Sequence, residues 1–165
     1  GLLAGSAAGA EYFDRIASFP VALNNPDVEL GSADNSAEII TATEDGMTLV
    51  YSNALLGGIG LIDITDPKAP KAGGFVALDG SPTSVAVIGG RALVTVDMTE
   101  DFTKPSGYLA LVDIASKTVE SQCDLGGQPD AIAKNHDASI VGEFQSSAEP
   151  LSAEQLAAVG GGQEE

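Results

Sequence analysis

Cysteine, tryptophan, histidine and positive charge are all scarce in this chain. Cys123 stands alone among 165 residues, so no disulfide forms within the chain and no cysteine-based zinc cluster can be built. There is no tryptophan, and aromatics make up 5% of residues, so a core has to be made from Ala, Val, Ile and Leu. His136 is the only histidine and has no second one with which to share a metal. Lys and Arg number 7 against 24 Asp and Glu, a formal charge of −17. Such a surface repels phosphate backbones and anionic membranes, which argues against nucleic acid as a partner. It suits either a cation or basic partner, or plain solubility in salt. No apolar run reaches the roughly 18 residues that a spanning helix needs.

Familiar catalytic patterns are missing too. G-x-S-x-G is absent: in "LDGSPTS" Ser81 follows a glycine, but the second glycine is lacking, and neither Ser81 nor Ser84 reads as a nucleophile. "GGIG" has the wrong spacing for a dinucleotide loop and leads into a strand. Cys123, in "VESQCDLGG", reads as a small buried hydrophobe in a strand.

Turn-formers and short apolar runs are plentiful. The chain has 20 Gly, 8 Pro and 44% hydrophobic residues, which predicts one all-β domain of short strands. "SVAVIGGRALVTV" is β-branched on either side of a Gly89-Gly90 hairpin turn, and "TATEDGMTLVYS" repeats the pattern around Glu44-Asp45-Gly46. These runs are apolar at successive positions, not alternate ones. They therefore read as strands buried on both faces.

The runs recur in order. One unit covers about 37–80, a second 82–127, and a third opens at 129 and fades by 145. From Pro82 to Pro129 the step is 47 residues, and from Asp63 to Asp113 it is 50. Four strand-like runs in such a period mark a β-propeller blade. The expected fold is a partial β-propeller of about two complete four-stranded blades plus part of a third. "YFDRIASF" is expected to add a strand to a neighbouring blade. Beyond 145, Ser152 and Gln155 form a capping box over "SAEQLAAV", which predicts a short C-terminal helix before a polar tail.

"IGLIDITDPKAPK", "LDGSPTSVAV", "SGYLALVDIASKTV" and "DLGGQPDAIA" together resemble the YVTN/LVIVD-type β-propellers of exported bacterial proteins. The resemblance runs from about Glu11 to Ala133 and is to the N-terminal propeller of the esterase-like-activity-of-phytase and choice-of-anchor families. It implies an exported interaction or scaffold module, or part of a phytase-like or esterase-like phosphoric-ester hydrolase whose catalytic residues lie outside this chain. Family members are much longer. Two units and a fraction cannot close a ring of about four or more blades. A fragment, a ring completed by partner strands, and an open stack with covered edges all remain compatible with the sequence.

Two acidic loops are candidate calcium sites, since hard cations take several oxygen ligands. One holds Asp27, Glu29 and Asp34, together with Asn24, Asn25, Asn35 and Glu38; the other holds Asp97, Glu100 and Asp101. The bland alternative is a pair of solvated loops. Finally, "GLLAGSAAGA", residues 1–10, looks like the end of a signal peptide, which predicts export to a periplasm, cell surface, extracellular space or organelle lumen.

Overall fold

The computed structural model describes residues 14–134 except Leu30, Ala33 and Phe102, and the strand backbone of 140–145. Within these residues the chain is all-β, with no α-helix. A 3-10 segment, Val21–Asn24, precedes ten strands. β1 (Ile40–Ala42), β2 (Thr48–Asn53), β3 (Gly58–Asp63) and β4 (Lys71–Ala77) form one antiparallel sheet in that order. β5 (Ser81–Ile88), β6 (Arg91–Asp97), β7 (Gly107–Asp113) and β8 (Thr118–Asp124) form a second sheet of the same order. β9 (Gln128–Lys134) and β10 (Ile140–Gln145) pair as a two-stranded antiparallel sheet.

The doubled apolar runs have the expected consequence. β2, β3, β5 and β6 are buried at nearly every position, while β8, the last strand of the second sheet, is exposed along most of its length. One cluster joins Val50, Ile59 and Leu61 of the first sheet to Val85, Val87 and Val94 of the second. Full burial of each such side chain stabilises the fold by about 1.5–3 kcal/mol. On the other face of the second sheet, Leu93, Leu109 and Leu125 pack with Ile132 of β9. The second sheet is therefore the filling between the first sheet and β9.

The turns follow their residue chemistry. Gly89 and Gly90 both have positive φ, 54° and 77°, as a two-residue hairpin turn demands. Asp63 and Asp113 each end the third strand of a sheet and each cap the following turn. The Asp63 Oδ1 accepts the Thr65 amide at 2.9 Å, and the Asp113 Oδ1 accepts the Ser116 amide at 2.7 Å. That shared job explains why "ID" and "VD" recur in the two segments.

Two expectations need correction. Asp14–Pro20 forms no strand. The chain instead reaches the first sheet through the Asn24 side chain, because Pro20 leads straight into the 3-10 segment and no ladder is offered to it. Cys123 is half-buried, not buried, because β8 is the exposed edge strand; its flank still touches the leucine cluster. The helix expected near Ser152–Gln155, His136, the leader expected at residues 1–10 and the polar tail lie outside the described residues.

Candidate functional site

A cleft of about 530 Å³ opens between the two four-stranded sheets at the end carrying their hairpin turns. The β1–β2 turn contributes Glu44 and Asp45, the end of β3 contributes Asp63, and the β7–β8 turn contributes Ile114 and Lys117. Leu61 provides apolar floor.

Each carboxylate is placed by a turn. Asp45 Oδ1 accepts the Thr43 hydroxyl at 2.6 Å and the Met47 amide at 2.9 Å. These bonds, the Thr43 hydroxyl first, hold its carboxyl below the usual range. Asp63 is lowered chiefly by the Thr65 amide, and Asp113, which ends β7 one residue before the cleft residue Ile114, by the Ser116 amide. Glu44 reaches across the gap, where its Oε1 accepts the Gly89 amide at 3.3 Å and ties one sheet to the next.

Lys117 has φ 59°, the one positive φ at a non-glycine among the described residues. Its amide donates to the Asp113 carbonyl at 2.9 Å, which closes the β7–β8 turn. A methyl on Gly74 would lie 3.0 Å from the Lys117 Nζ, so the ammonium hangs over the β4 backbone of the other sheet. The cleft thus brings three carboxylates, Glu44, Asp45 and Asp63, and one ammonium, Lys117, together with an apolar lining that includes Leu61, Ile114 and Ala115. Its carboxylates act first as turn caps, and no serine, cysteine or histidine lines it.

The sequence-based metal candidates fall in different places. Asp27, Glu29 and Asp34 are exposed on the loop between the 3-10 segment and β1. Glu29 uses its backbone carbonyl, which accepts the Asn35 Nδ2 at 3.0 Å, and Asp34 uses its own to accept the Asn53 Nδ2 at 2.8 Å. Asn24 and Asn25 are buried, at 6% and 8% exposure. Asp97 is half-buried and engaged on both oxygens, with the Thr99 amide at 2.8 Å and the Gln128 Nε2 at 2.9 Å. Glu100 is exposed, and Asp101 caps its own turn through the Thr103 amide and hydroxyl, both at 2.9 Å. The amide bond is the main cause of the lowered Asp101 carboxyl. Among the described residues, no three His, Cys, Asp or Glu side chains converge to hold a metal ion.

The residues that organise the molecule instead tie one layer to the next. The Tyr108 hydroxyl donates to the Asp79 carbonyl at 2.9 Å and accepts the Asp79 amide at 3.1 Å, which pins the link between sheets. Ser84 accepts the Ile132 amide at 3.2 Å, and the Lys134 Nζ donates to the Val87 carbonyl at 2.9 Å, both joining β9 to β5. Sequence reading missed these because each partner lies between 29 and 48 residues away.

No family model matches the chain, and no curated protein does. Among solved structures it is similar to hydrazine synthase of Kuenenia stuttgartiensis, at 21% identity and a TM-score of 0.55. The match covers 71% of this chain and 31% of that one, so the chain spans under a third of that protein's length. At this identity the likeness bears on fold alone, and it agrees with a β-propeller-like arrangement.

Proposed function

We propose that this chain is a non-catalytic interaction and scaffold module of an exported protein. In this reading it comprises two complete propeller blades and the start of a third, completed by further chain or by a protein partner. One observation carries the reading: the first two sheets have four strands each, while β9–β10 has two among the described residues. The backbone edge of β10 has no described neighbour, and an unpaired edge is a template for another strand. The layer ties support the same view, because Asp97, Ser84 and Lys134 hold layers together and do not converge on a reaction centre.

The test is turnover. Purified chain is assayed against phosphomonoesters, phytate and carboxyl esters, with calcium and with chelator. The scaffold reading predicts no turnover attributable to the chain. Calcium-dependent hydrolysis that disappears in Asp97→Ala or Asp101→Ala would establish a phytase-like hydrolase in its place.

A further inference from the structure

Register in the two sheets makes individual positions comparable. Ile40 pairs with Tyr51, which pairs with Gly60, three residues before Asp63. Val85 pairs with Val94, which pairs with Ala110, three residues before Asp113. Ile40 and Val85 therefore occupy the same place on the same face of their sheets. Their surroundings differ: Val85 is 5% exposed because the first sheet packs on it, whereas Ile40 is 56% exposed.

On the Ile40 face, Tyr51 of β2 and Ile62 of β3 are buried, at 0% and 6% exposure, and among the described residues β1 is the strand left open. Asn24 sits over β3 and β4, bonded to the Leu61 carbonyl and the Gly74 amide, and reaches the Tyr51 hydroxyl on β2. β1 lies beyond this strap, and its two apolar side chains on this face, Ile40 and Ala42, are exposed among the described residues.

The opposite end of the stack shows the complementary surface. Ile132 of β9 packs inward on the leucine cluster of the second sheet. By strand alternation Ala131 and Ala133 point the other way, and both are exposed. The 47-residue step places Ala133 on Ala86, which lies on the face of the second sheet that meets β9. The outward face of β9 is thus the equivalent of the face that a sheet presents to its successor. The Ile40 face is the equivalent of the one that a sheet presents to its predecessor.

We infer that the Ile40 face of the first sheet is a docking surface and that its occupant is the outward face of β9 in a second copy of this chain. The joint is head-to-tail and repeats the stacking already present between Val85 and the first sheet. Such a contact is heterologous, so it closes into a ring or extends as an open array. The inference rests on the interaction-module reading and names its partner.

Charge sets the conditions. Two copies each carrying −17 repel at ordinary ionic strength, where the screening length is about 8 Å. At about 1 M salt it falls to about 3 Å, and apolar association can then prevail. The experiment is sedimentation of the whole chain over a wide concentration range at both salt levels. The expected result is a mass that rises above one copy with concentration and rises further in high salt. Ile40→Asp and, separately, Ala133→Glu should each weaken association at least about tenfold. Circular dichroism melts on each variant confirm that it is folded, and the two substitutions lie on different sheets, so one folding failure leaves the other informative. One-copy mass at every concentration and salt would overturn the inference, as would association that neither folded variant changes. An inert chain that stays monomeric sinks this inference and leaves the scaffold reading standing, whereas turnover sinks that reading.

Discussion

Asn24 fills a gap in the β3–β4 ladder for Gly74. A bulge between Leu61 and Ile62 breaks the register there, and the Asn24 amide takes over, with Oδ1 accepting the Gly74 amide at 3.1 Å. Its Nδ2 donates to the Leu61 carbonyl at 2.9 Å and to the Tyr51 hydroxyl at 3.1 Å. One side chain thus ties together three strands whose bonded residues lie 27, 37 and 50 residues away in sequence.

Replacing Asn24 with Ala leaves the Gly74 amide and Leu61 carbonyl without side-chain partners in a half-buried setting. An orphaned buried polar group costs about 1–3 kcal/mol, so a total loss of about 2–4 kcal/mol is expected in urea unfolding. Asn24→Asp should lose at least as much, because a carboxylate cannot donate to the Leu61 carbonyl. Faster hydrogen exchange at the Gly74 amide is the local readout.

Gly60→Ala should be worse than Gly89→Ala, although Gly89 has the positive φ. A methyl on Gly60 would collide with the Tyr51 ring, which is fully buried and cannot swing out. Overpacking of this kind costs about 1–3 kcal/mol, with more if the ring loses its Asn24 bond. At Gly89, φ 54°, a methyl meets nothing within 4 Å, so only the left-handed backbone penalty of about 1–2 kcal/mol applies. Thermal melts of the two variants decide the order.

Asp97→Ala removes the acceptor for Gln128 and unties the start of β9 from the end of β6. A loss of about 1–2 kcal/mol is expected, equal in calcium and in chelator. A loss seen only with calcium present would mark Asp97 as a metal ligand.

Acid and alkali act on different groups. The Asp45, Asp63 and Asp113 carboxyls are lowered by hydrogen bonds that their charged forms accept. Their contribution is complete above the unfolded value of about 4 and is lost as pH falls through the lowered folded values. Burial raises the Tyr51 and Tyr108 phenols. Their contribution is complete below about pH 10 and disappears as pH rises through the raised folded values. Absorbance titration should therefore show these two tyrosines ionising late, and with unfolding.

The strands were legible in the sequence because local patterns specify them. Apolar runs such as Val85–Ile88 need two dry faces, and Gly89-Gly90 admits one kind of turn. Asp63 and Asp113 were recognisable as a recurring pair, although their capping role needed coordinates. The acidic loops were legible only as clusters of carboxylates: in the fold Asp97 and Asp101 bond to amides and hydroxyls, a use that composition does not distinguish from cation binding. Asn24 stood among those candidate oxygens, and only the fold shows its amide engaged by a bulge and a tyrosine. Long-range ties of this type leave no local signal.

The two four-stranded sheets lie face to face and share one apolar layer. Methyl–methyl nuclear Overhauser effects on selectively labelled Val, Ile and Leu read this directly. Cross-peaks are expected between first-sheet methyls of Val50, Ile59 and Leu61 and second-sheet methyls of Val85, Val87 and Val94. A spectrum in which those methyls show contacts only within their own sheet would contradict the stacked arrangement, and with it the docking face at Ile40.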